Sequence, residues 1–145
     1  MYFLRVVRDK SELEGTVFIE VLPGRYRGKC WNDGSIFFDE ETFGFFEPFI
    51  EREVPEYDHY AFTEVSRPRW IRVASSLRAF ATELLVAAAA QSMPKGLRFV
   101  FSGTEVSFSQ NLPGNTRALA DAATGFAEWL ERVLEEHDAV SILGI

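Results

Sequence analysis

Apolar residues recur along this chain with two different periods, and the change between them divides it. Near the amino terminus, residues 2–7 (YFLRVV) and 16–22 (TVFIEVL) are short runs rich in β-branched and aromatic side chains, which predicts strands. Pro23 and Gly24 mark a turn. Asn32, Asp33 and Gly34 predict a tight hairpin joining RYRGKCW to SIFFD, because an Asp-Gly pair accepts the positive φ that such turns require. These strands are expected to form a meander. Pro48 then interrupts a Phe-rich segment, EETFGFFEPFIERE, which leaves room for one or two short helical turns with Phe43, Phe46 and Ile50 on one side.

Residues 59–65 (HYAFTEV) predict another strand, and the period then lengthens. Ser66 stands where it can cap a helix, and Pro68 falls in the first turn, where its missing N–H costs nothing. Trp70, Val73, Leu77, Phe80, Leu84 and Ala88 follow at steps of three and four, one apolar stripe over about 67–91 that ends before PKG at 94–96. LRFVFS and TEVSFS, on either side of Gly103, alternate as a second hairpin would, with Leu97, Phe99 and Phe101 on one face. Asn115 is expected to open a second helix, about 115–137, with the stripe Leu119, Ala122, Phe126, Trp129, Val133 and Leu134. The chain closes on an apolar strand, AVSILGI. The order implies an α+β fold: an antiparallel sheet of hairpins, packed on one face by two amphipathic helices, with a C-terminal strand.

Composition bounds this picture without changing it. With 145 residues, 47% of them hydrophobic, and no repeat or low-complexity linker, the chain reads as one globular domain, 1–145, able to bury its own core. The longest apolar run, LLVAAAA, is far too short to span a bilayer. The single cysteine, Cys30, excludes an internal disulfide and fits a cytoplasmic protein. A net charge of −7 opposes binding to anionic lipid or to nucleic acid in the absence of a segregated basic patch. RPRWIR, at 67–72, has the composition of such a patch, but Trp70 belongs to the helix stripe.

Charge changes the picture more. Residues 39–64 carry nine acids and one base, Arg52, whereas residues 65–100 carry six bases and one acid. Either the basic third folds against the acidic segment and neutralises it, or part of the acid is left for a partner. Acids beside aromatic rings on a short irregular segment suit the second: carboxylates steer a basic partner and rings supply the desolvated contact. The candidate partner-binding residues are Glu47, Glu51, Glu53, Glu56, Tyr57, Asp58 and Tyr60. Phe45 and Phe49 are further surface candidates, and Phe37, Phe43, Phe46 and Phe62 are assigned to the core.

Other chemistries find less in the sequence. Glu51, Glu53, Asp58 and His59 could serve a small enzyme or a ligand- or metal-binding domain, but Pro55 intervenes and no recognised ligand spacing is present. A thiol nucleophile would need Cys30 beside His59 or His137, the only histidines. Phosphate-loop and dinucleotide motifs are absent, so no cofactor or metal is implied.

The stretch YDHYAFTEVSRPRWIRVASSLRAFATELL, at 57–85, followed by a hairpin, a Trp-containing acidic helix and the terminal VSILGI, resembles small bacterial proteins that act as immunity partners of secreted toxins. The resemblance lies in element order and composition. It implies a cytoplasmic inhibitor that covers the site of a toxin, and it assigns no individual residue. The reading of the residues and the resemblance together give a non-enzymatic protein-binding domain that docks a basic partner through an acidic aromatic surface.

Overall fold

The computed structural model describes residues 4–13 and 18–144. Among these, five strands form one antiparallel sheet: β1 (Val6–Val7), β2 (Phe18–Pro23), β3 (Ile36–Asp39), β4 (Phe62–Ser66) and β5 (Ala139–Leu143). Their order across the sheet is β1-β3-β2-β5-β4. Between them lie α1 (Glu40–Gly44), α2 (Glu47–Glu53), α3 (Arg67–Ala89), α4 (Ser102–Gln110) and α5 (Leu112–Val133). The α+β class and the C-terminal strand are those the sequence implies.

Several elements differ from expectation. The first strands do not form a meander, since β3 lies between β1 and β2, and β5 is inserted between β2 and β4. Tyr2, Phe3, Thr16, Val17 and Ile145, assigned to strands by pattern, lie outside the described residues. The second hairpin is not formed: TEVSFS lies in α4, and LRFVFS is irregular up to Ser102, where that helix begins. The serine-spaced alternation suits a strand, but Thr104 and Phe108 are the buried residues of α4, and they stand one helical turn apart.

The sheet is covered on both faces. Ile19, Val21, Ile36, Phe38, Val65, Val140 and Ile142 meet Trp70, Val73, Leu77 and Leu84 of α3 and Leu119, Phe126 and Leu130 of α5 in one core. Phe126 is its centre, with its ring against those of Phe38, Phe46 and Trp70 at 4.9, 5.7 and 6.1 Å. The indole N–H of buried Trp70 donates to the carbonyl of Val140 at 2.9 Å, so this ring is bonded as well as packed. Helix starts follow local chemistry. Asp39 accepts from Thr42 N–H and caps α1, and prolines fall in the first turns of α2, α3 and α5. Ser66 occupies the N-cap of α3, but its hydroxyl makes no capping bond. Helix α5 begins earlier than Asn115, whose side-chain amide instead donates to the Phe108 carbonyl and ties α4 to it.

The opposite face is closed by residues 24–35, the connection from β2 to β3. RYRGKCW is not a strand within it. Glu20, in the middle of FIEVLP, points to this face and is buried. Its carboxylate accepts from the backbone N–H groups of Trp31 and Asn32, from the Asn32 amide and from the Ser35 hydroxyl, at 2.6–3.0 Å. Satisfying a buried carboxylate demands donors on this scale. Trp31 takes a positive φ of 61° and packs against Phe18 and Phe37.

Candidate functional site

The candidate residues of the 39–64 segment are placed by α2 and by the irregular chain from Val54 to Ala61. Glu47, at the start of α2, is buried, not on the surface. Its carboxylate accepts from the Tyr57 hydroxyl at 2.7 Å and lies 2.6 Å from Nδ1 of His59. The other ring nitrogen of His59 is 2.9 Å from Glu40, at the start of α1. One histidine thus clasps the beginnings of two helices to the approach to β4. Burial pulls the His59 pKa down, but hydrogen bonds and charge from Glu47 and Glu40 outweigh it, and the net direction is upward. Tyr57 is half-buried, and burial followed by the Glu47 carboxylate holds its phenol far above the ordinary range.

Three further acids meet the basic third of the chain. Glu51 forms a two-point pair with Arg98, at 2.6 and 3.0 Å. Glu53 pairs with Arg72 at 2.8 Å and Glu56 with Arg69 at 2.6 Å. Arg98 draws the Glu51 carboxyl below its ordinary value; for Glu56 a backbone hydrogen bond does so first, with Arg69 second. Much of the acid is therefore neutralised within the chain. Asp58 remains exposed and accepts from the backbone N–H of Tyr60.

Glu51, Glu53, Asp58 and His59 do not converge. Each is bound to a different partner, and among the described residues no group of three or more His, Cys, Asp or Glu is arranged to hold a metal ion. Cys30 is exposed, and partial burial followed by the charge of Glu20 pushes its thiol up, opposite to the activation a nucleophile needs.

The exposed rings are not all those expected. Phe45 is buried between Phe99 and Phe108, and Phe49 packs on Phe80. Phe62, assigned to the core, is 49% exposed. Its partner across β4 and β5 is Leu143, on the face away from α3 and α5, whereas Val65 lies opposite Val140 on the helix side. Tyr60 is 69% exposed, and Tyr26, from the 24–35 connection, sets its ring edge-on to Phe62 at 4.9 Å. Arg25 reaches Glu64 beside that pair, at 3.4 Å.

These rings flank an open strand. Among the described residues β4 pairs with β5 alone. The bonds from Gly144 N–H to Ala61 and from Arg67 N–H to Asp138 turn residues 61 and 67 toward β5. Alternation in an antiparallel ladder then turns the backbone groups of Phe62 and Glu64 away from the sheet. The chain entering β4 is held close, since a Cβ at Gly144 would fall 2.6 Å from the carbonyl oxygens of His59 and Ala61. Sequence pattern could have found Glu20 as a polar interruption of an apolar strand, but the exposure of Phe62 depends on which strand β4 pairs with.

Comparison of the chain with protein-family models, with curated proteins and with solved structures gives no match. No helix among the described residues is long and apolar enough to cross a membrane.

Proposed function

We propose that the protein is a non-enzymatic protein-binding domain whose docking surface is the open edge of its sheet, centred on Tyr26, Tyr60 and Phe62. One observation carries this reading: the exposed rings of Tyr26 and Phe62 meet at a strand that, among the described residues, pairs on one side only, and exposed Tyr60 stands two residues before it. Aromatic anchors supply much of the energy of protein interfaces, and an edge strand adds main-chain hydrogen bonds to an extended segment of a partner. The immunity-type role is a specific form of this function and asks that such a surface cover the site of a secreted toxin. The case for a basic partner rests on Glu51, Glu53 and Glu56, and each of these has an arginine partner within the chain.

The test is comparative affinity capture from the cells that make the protein, using wild type and a Tyr60→Ala, Phe62→Ala double variant shown to be folded by circular dichroism. A protein held by wild type and lost from the variant supports the reading. Equal capture by both moves the interface away from β4.

A further inference from the structure

The sequence places a surplus of acid near Tyr60, and Asp58 stays exposed there, yet the segment that carries Tyr26 is basic. Residues 24–32 contain Arg25, Arg27 and Lys29 and no acid. Arg27 and Lys29 are exposed and have no ion-pair partner among the described residues, and Arg25 keeps 81% of its side chain exposed while reaching Glu64. Of the 39–64 carboxylates, Glu51, Glu53 and Glu56 are matched by Arg98, Arg72 and Arg69, and Glu40 and Glu47 meet His59. A basic rim is therefore set against an aromatic centre in a chain of net charge −7.

This rim is held in place. Glu20 anchors one end of the connection through Trp31, Asn32 and Ser35. At the other end Gly24 N–H donates to Ala139, and the Ser141 hydroxyl donates to the Gly24 carbonyl. Tyr26 on Phe62 and Arg25 on Glu64 fix the middle against β4. Backbone ordered in advance loses little entropy on binding, so charges carried on it serve recognition at low cost.

Building on the protein-binding reading above, we infer that the partner docks through a short acidic segment, whose carboxylates meet Arg25, Arg27 and Lys29 while an apolar side chain packs on Tyr26, Tyr60 and Phe62. Charge complementarity selects this occupant. A nucleic acid fits less well: three cations neutralise few phosphates, and the remaining surface repels a polyanion. A short acidic segment needs only a few matching charges.

The experiment is selection of a displayed random 12-residue peptide library on the immobilised full chain, followed by fluorescence anisotropy with an enriched peptide. The variants are Arg27→Glu with Lys29→Glu, and Tyr60→Ala with Phe62→Ala, each checked for folding. Acidic peptides that bind wild type and weaken about tenfold or more with either variant, a change of about 1.4 kcal/mol, support the inference. Basic or neutral peptides that need the rings but ignore the loop reversal overturn the inference and leave the protein-binding reading standing. Enriched peptides indifferent to both variants, or no enrichment, overturn both. Loop-dependent binding of a labelled single-stranded 20-nucleotide RNA without any acidic peptide would replace the acidic segment with a nucleic acid.

Discussion

Nδ1 of His59 stands 2.6 Å from the carboxylate of Glu47, while Nε2 of the same ring stands 2.9 Å from Glu40. A carboxylate at each nitrogen requires both nitrogens to donate, so the clasp is made by the imidazolium. Tyr57 shares Glu47, Asp58 and Glu51 lie in its electrostatic surroundings, and Arg98 is the nearby cation. With its folded pKa raised, His59 contributes stability that is complete below the unfolded value of about 6.5 and is lost as pH rises through the folded value. Denaturant midpoints for wild type and His59→Gln should therefore differ most at mildly acidic pH and converge on the alkaline side. A difference independent of pH would mean that folding leaves the His59 pKa unchanged, and one that grows on the alkaline side would mean that the ring is held neutral.

Glu20 organises the sheet face opposite the helices. Glu20→Ala leaves several buried donors on Trp31, Asn32 and Ser35 without an acceptor, at about 1–3 kcal/mol for each group left unsatisfied. Urea denaturation should show a stability loss of that order or larger. Trypsin should also cut more rapidly after Arg25, Arg27 or Lys29, and unchanged cleavage would show that something other than Glu20 holds the connection.

The shared core of α3, α5 and the sheet should be intolerant of cavities. Leu77→Ala is expected to cost about 2–5 kcal/mol and Phe126→Ala about 3–5 kcal/mol, since both side chains are buried and Phe126 touches rings from three directions. Denaturant midpoints near that of wild type for both variants would remove them from the core.

The acid–arginine pairs should matter little to stability. Glu51 and Arg98 are each more than 40% exposed, so a double-mutant cycle with Glu51→Gln and Arg98→Gln is expected to give a coupling of about 0.2–1 kcal/mol that shrinks as salt is added. A salt-independent coupling of several kcal/mol would place this pair in a much drier setting.

The long-period elements were legible because burial repeats along them. Trp70, Val73, Leu77, Phe80, Leu84 and Ala88, the stripe expected of the first helix, are all buried in α3. Elements governed by one distant contact were not legible. α4 carries a strand-like alternation but packs through Thr104 and Phe108, and RYRGKCW has strand composition but follows the carboxylate of Glu20. The surface rings were partly exchanged with core rings for the same reason. Phe45 is buried by Phe99 and Phe108, far along the chain, whereas Phe62 is turned outward by its register with Leu143. The charge blocks announced their mutual neutralisation as one of two outcomes, but Glu51 with Arg98, Glu53 with Arg72 and Glu56 with Arg69 emerge only when α2 lies against α3 and the chain after it.

Hydrogen–deuterium exchange of the protein with and without its captured partner tests the docking surface most directly. The account predicts added protection in residues 60–66 and 24–31, with little change along the exposed part of α3 that carries Leu85 and Val86. Protection confined to that helix, with residues 60–66 exchanging as in the free protein, would contradict it.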